Sequence, residues 1–96
     1  MSDRDEIAVS ARITGRVQGV GYRAWCARAA MAYGLRGWVR NCADGSVEAL
    51  FAGPRGNVEA MLQACRQGPP HGHVSDLSMT DMPLPPGLTE FVIRHQ

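Results

Sequence analysis

Ninety-six residues are enough for one domain and too few for two cores of ordinary size. The chain is 45% hydrophobic and 20% charged, the balance of a folded globular protein and not of a disordered one. Ten basic and nine acidic side chains leave a net charge of +1, without the basic excess that phosphate-backbone binding demands, so any anion recognition has to be local.

In chain order, residues 1–6 (Met-Ser-Asp-Arg-Asp-Glu) are charged and lack the apolar stretch of a secretory signal, and they are expected to be a flexible terminus. Ile7, Val9, Ala11 and Ile13 alternate with Ala8, Ser10, Arg12 and Thr14, the pattern of a half-buried strand. A glycine-dense segment, Gly15 to Tyr22, follows. From Tyr22 to Tyr33 the residues are good helix formers, with Cys26, Ala29, Ala30 and Tyr33 at helical spacing and Gly34 as the stop.

Leu35 to Asn41 is predicted as a second strand, with Gly37, Val39 and Asn41 on one face. Asp44-Gly45 marks a hairpin turn into a third strand, Ser46 to Ala52, with Val47, Ala49 and Phe51 on one side. Gly53-Pro54 is expected to break it. Val58, Met61, Leu62 and Cys65 fall at i, i+3, i+4 and i+7, an amphipathic helix ended by Gly68-Pro69-Pro70, with Asn57 as its expected cap and Glu59 in its first turn. Val74 to Asp81 is predicted as a fourth strand, Pro83 to Gly87 as a linker, and Phe91 and Ile93 as a short last strand. The fold class implied is α+β: a ferredoxin-like βαββαβ sandwich over a single domain, 1–96. Its sheet is mainly antiparallel, four strands plus a short C-terminal strand, with two helices on one face.

A strand that runs through glycines into a helix start leaves backbone N–H groups without partners, pointing one way. Gly19 and Gly21 let them converge without a Cβ in the way. The helix dipole adds about half a positive charge there, and such a place binds phosphate. Arg23 opposes that dipole, and a dianion held between amides and guanidinium resolves the conflict; an arginine also meets a phosphate bidentately. On pattern alone, a tight turn beside a solvated Arg23 stays open as the alternative. Gly19-x-Gly21-x-x-Ala24 matches a dinucleotide fingerprint, with Asp44 downstream, but a hairpin follows where a parallel sheet is required. No Gly-Lys-Ser/Thr follows for a P-loop.

Gly15-Arg16-Val17-Gln18-Gly19-Val20-Gly21-Tyr22-Arg23 resembles the first signature of the acylphosphatase family. Gly37-Trp38-Val39-Arg40-Asn41, followed by Asp44-Gly45-Ser46-Val47-Glu48, resembles its second, and Gly68-Pro69-Pro70 and the closing Phe91-Val92-Ile93-Arg94 also match. The resemblance spans roughly Val9 to Arg94 and implies a hydrolase that cleaves the carboxyl–phosphate bond of acyl phosphates to a carboxylate and inorganic phosphate. It implies that Gln18, Gly19, Val20, Gly21, Tyr22 and Arg23 bind the phosphoryl oxygens, with Arg23 as charged clamp, and that Asn41 holds the attacking water in line. No cofactor and no metal are expected, because the leaving carboxylate needs no general acid. The sequence departs from the family pattern at Tyr22, usually Phe, whose hydroxyl is expected at the helix edge, and at Cys42, where Thr is common.

The remaining candidates carry less. His71 and His73 near Cys65 fit no structural zinc spacing, and His95 is expected to be solvated. Cys26 and Cys65 are expected in the core, as are Met61 and Met79. Three scattered cysteines point to a reduced, cytoplasmic protein; no run approaches the roughly 20 apolar residues of a membrane span. The expected partner is a small acyl phosphate, with inorganic phosphate as product ligand, no nucleic acid, no membrane, and a monomeric chain. Two rival readings stand. One is an acylphosphatase-like domain handling carbamoyl phosphate, as at the front of the much longer hydrogenase-maturation carbamoyltransferases, against which a free-standing 96-residue chain argues. The other is a non-catalytic ferredoxin-like binding module, for which six aromatics and no basic strand motif offer little.

Overall fold

Alternation along the strands builds a sheet with two unlike faces. The computed structural model describes residues 5–95. The elements run β1 (Glu6–Arg16), α1 (Tyr22–Ala32), β2 (Arg36–Asn41), β3 (Val47–Pro54), α2 (Arg55–Gln67), β4 (His73–Met82) and β5 (Phe91–Arg94). The sheet order is β4-β1-β3-β2-β5. Three neighbouring pairs are antiparallel, and β5 runs parallel to β2 at the edge. This is the ferredoxin-like α+β arrangement expected, with the short terminal strand added to it.

Val9, Ala11 and Ile13 of β1, Val39 of β2, Val47, Ala49 and Phe51 of β3 and Leu77 of β4 share one face. They form a single buried cluster with Tyr22, Cys26 and Ala30 of α1 and Val58, Met61 and Cys65 of α2. Burying a Val, Leu, Phe or Met fully stabilises by roughly 1.5–3 kcal/mol, so this layer is the main support of the fold. The other face holds a small patch of Ala8, Leu50 and Ala52 with Trp38. Cross-strand ion pairs, Arg36–Glu6 and Arg40–Glu48, occupy positions of the same parity.

Gly34 ends α1: its amide bonds to the Met31 carbonyl and that of Leu35 to Ala30, the two bonds of a Schellman motif, with Gly34 at φ 71°. The second helix starts earlier than expected. Gly53-Pro54 does not break β3, which runs through to Pro54, and Pro54 itself caps α2. Asn57 therefore lies inside the helix and caps nothing; its Nδ2 donates to the Tyr33 carbonyl at 2.9 Å, tying the start of α2 to the end of α1. Glu59 falls beyond the first turn.

Gly15 likewise belongs to a strand and not to the loop. β1 continues to Arg16 through a bulge between Thr14 and Gly15. There Gly15 sits at φ 121°, and a Cβ would run into the His73 carbonyl and the Ser75 amide of β4. Met61 is buried as expected, but Met79 is 50% exposed, because β4 is an edge strand that α2 covers only in part. Of residues 1–6, residues 1–4 lie outside the described part; Glu6 opens β1 and Asp5 pairs with Arg55.

Candidate active site

The loop between β1 and α1 turns on two left-handed glycines, Gly19 at φ 77° and Gly21 at φ 80°. A Cβ on either would meet no atom within 4 Å, so the requirement is backbone conformation and not lack of bulk. α1 then begins at Tyr22, with its first ladder bond from the Trp25 amide to the Gly21 carbonyl at 3.0 Å. No side chain caps this end and no acidic residue lies in its first turn. The amides of Tyr22, Arg23 and Ala24 thus have no intrahelical acceptor, at the positive end of the helix dipole.

The other half of the site comes from the β2–β3 hairpin. Asn41 is the last residue of β2. The turn is closed by the Cys42 amide on the Ser46 carbonyl at 2.8 Å and the Gly45 amide on the Cys42 carbonyl at 3.1 Å. Only Gly45 is left-handed there, at φ 94°. Asp44 contributes through its carboxylate, which accepts from the Ser46 amide and hydroxyl at 2.9 and 2.6 Å. Those hydrogen bonds, from the Ser46 hydroxyl first, hold the Asp44 carboxyl below the usual carboxylate range.

Gln18 joins the two halves. Its Nε2 donates to the Cys42 and Ser46 carbonyls, both at 2.8 Å, so its carboxamide protons point at the hairpin. Val20 packs against the core. Tyr22 is buried, and its hydroxyl donates to the Cys65 carbonyl at 2.8 Å, deep between the helices and not at the helix edge. Burial keeps this phenol protonated, pushing it well above its ordinary range.

Arg23 and Asn41 meet across a cleft of about 300 Å³ at the start of α1. Gly19, Gly21 and Ala24 line it on the loop side, and Val17 and Ile93 supply its apolar part. Arg23 reaches over the end of β5: its Nη1 donates to the Arg94 carbonyl at 3.2 Å and lies 3.4 Å from His95 Nδ1. His95 also lines the cleft, beside Asn41. It is exposed, as expected, and its parity with Phe91 and Ile93 turns it toward the helix-covered face. Among the described residues, the Asn41 carboxamide has no hydrogen-bond partner, and Arg23 belongs to none of the four ion pairs.

Gathered amides, one guanidinium and one free carboxamide have the chemistry to hold a small polyanion and to orient a neutral molecule beside it. Among the described residues, no carboxylate lines the cleft, an arrangement suited to charge stabilisation and positioning. Among the described residues, no group of three or more His, Cys, Asp or Glu is arranged to hold a metal ion. None of the described helices is long and apolar enough to cross a membrane.

The similarity of this chain to known proteins extends over most of its length. A protein-family model described as acylphosphatase matches residues 9–93. An acylphosphatase of Rhodospirillum rubrum is 57% identical over 81 residues, covering 82% of this chain and 89% of that protein. One of Azorhizobium caulinodans is 54% identical over 79 residues, covering 82% and 85%. Among solved structures, an acylphosphatase from Coxiella burnetii matches with a TM-score of 0.91 at 26% identity over 98% of each chain. That from Bacillus subtilis matches at 0.88 and 35% identity, over 92% of this chain and 98% of the other. The T. kodakarensis HypF structure also matches, with a TM-score of 0.81 at 26% identity, but this chain covers only 12% of it.

Proposed function

The chain belongs to the acylphosphatase family and hydrolyses acyl phosphates to a carboxylate and inorganic phosphate, and from that premise we propose how its residues divide the work. Arg23 clamps the phosphoryl group from one side, and the backbone amides of Gln18, Gly19, Val20, Gly21, Tyr22 and Arg23 meet its oxygens from the other. Asn41 holds the attacking water in line with the phosphorus. The observation that carries this reading is the shared cleft: Arg23 and Asn41, on different elements, line one cavity at an uncapped helix start.

The chemistry fits so spare a site. The leaving group is a carboxylate, already stable near neutral pH because its conjugate acid titrates near pH 4, so no general acid is required. The phosphoryl oxygens carry most of the charge, and donors aimed at them supply most of the stabilisation. Asn41 does not ionise, so its part is positional, and the water's proton passes to a phosphoryl oxygen. On this reading no metal ion takes part, and the protein acts as a cytoplasmic monomer. The free Cys26, Cys42 and Cys65 support the cytoplasmic setting.

The test is hydrolysis of benzoyl phosphate in the presence of a chelator, followed by loss of ultraviolet absorbance. Arg23→Ala and Asn41→Ala should each lower kcat/KM by about 10²–10³, or ~2.7–4 kcal/mol of transition-state stabilisation. A variant that keeps more than about a tenth of the wild-type value, a loss under ~1.4 kcal/mol, contradicts the role given to that residue. Inactivation by the chelator itself would overturn the metal-independent reading.

A further inference from the structure

The parallel pairing of β5 with β2 sets Arg40 opposite Arg94. The next positions along the two strands, Asn41 and His95, therefore fall side by side, with the parity of Val39 and Ile93 and so toward the helices. Both line the cleft with Arg23. Arg23 projects from the first turn of α1, where the helix dipole repels its charge and no acidic residue compensates. A long arginine there has many rotamers. Among the described residues, what holds it is the end of β5: the Arg94 carbonyl at 3.2 Å and His95 Nδ1 at 3.4 Å.

Both acceptors are formally neutral when His95 carries its proton on Nε2. A carboxylate in their place would orient the guanidinium equally well, but it would also neutralise it and compete with an incoming dianion. A carbonyl and an imidazole, its partners among the described residues, orient it without neutralising it. We propose that His95 is a positioning residue for Arg23, its Nδ1 accepting from Nη1 so that the guanidinium is set toward the phosphoryl position before substrate arrives. This rests on the reading of Arg23 as the phosphoryl clamp.

The test compares His95→Ala, His95→Asn and Arg23→Ala. The asparagine places an amide oxygen near the position of Nδ1 and cannot mimic the rest of the ring. His95 is exposed, so neither change opens the core. The readouts are inorganic phosphate affinity, and KM and kcat for benzoyl phosphate. Loss of one hydrogen bond predicts that His95→Ala weakens phosphate affinity and raises KM about three- to tenfold, with kcat within about twofold of wild type. His95→Asn should return both to within about twofold. Adding His95→Ala to Arg23→Ala should weaken phosphate no further, because the effect passes through Arg23.

Wild-type phosphate affinity in His95→Ala overturns the proposal, and so does equal impairment of the alanine and asparagine variants. An undiminished effect of His95→Ala on top of Arg23→Ala does the same. If Arg23→Ala alone leaves phosphate affinity unchanged, the clamp reading falls and takes this proposal with it. If Arg23→Ala weakens phosphate while His95→Ala does not, the clamp stands and only the role of His95 is lost.

Discussion

The Tyr22 hydroxyl joins the two helices at the end of the molecule that carries the cleft. Its acceptor, the Cys65 carbonyl, lies in the last turn of α2, where helix carbonyls run out of amide partners. A residue in the first turn of α1 thus completes the last turn of α2, in the interior, where an unmet carbonyl is costly. The family pattern has phenylalanine at this place, so the bond is an addition to the fold and not a condition of it. Tyr22→Phe should cost about 0.5–1.5 kcal/mol of stability in urea titration and leave kcat/KM within about twofold of wild type. An unchanged midpoint would mean that the Cys65 carbonyl is satisfied without the phenol. Residue type alone suggested a hydroxyl at the helix edge; only the packing of α1 against α2 turns it inward.

At the scale of elements, the site is two pieces that local sequence does not hold together: a loop that presents amides and a hairpin that presents Asn41. Gln18 is the strut between them, with two 2.8 Å bonds to carbonyls on either side of the turn. Asp44 stiffens the same turn from within, through Ser46. On the proposed mechanism, the spacing of loop and hairpin decides whether a water on Asn41 lies in line with a phosphorus held by the loop, and misplacement by about 1 Å can cost a factor of 10² in rate. Gln18→Ala should therefore lower kcat/KM at least about tenfold although its side chain does not line the cleft. Wild-type kcat/KM in that variant would show that the two elements keep their spacing unaided. The motif suggested a phosphate ligand at Gln18; its backbone still belongs to the loop, while its side chain is committed to the hairpin.

For the molecule as a whole, the last strand closes the site. β5 has four residues, yet it is pinned on both faces: Phe91 stacks on Phe51 with ring centroids 5.7 Å apart, and the Arg94 guanidinium lies 4.7 Å over the Trp38 ring. Its end delivers the Arg94 carbonyl and His95 to Arg23. Phe91→Ala should cost about 3–5 kcal/mol in stability. It should also lower kcat/KM more than about tenfold at temperatures where circular dichroism shows the variant folded, since the tether of Arg23 goes with the strand. Full activity in the folded variant would separate β5 from the site. The amino-acid sequence by itself determined the elements, because alternation, helical spacing and stop residues act within a few positions of one another. It also carried the features that make the loop a candidate phosphate site, since glycines before a helix start and an arginine in its first turn are local facts. Their resemblance to a known signature gave Asn41 its expected role. Tertiary structure alone decided that Gly15 lies in a bulge against β4, that Pro54 and not Asn57 takes the cap position of α2, and that β5 pairs in parallel with β2. It decided as well that His95 comes to rest beside Asn41 and Arg23. Those outcomes depend on which distant segments share a core and in which register, a competition among many weak contacts that no short stretch of sequence records.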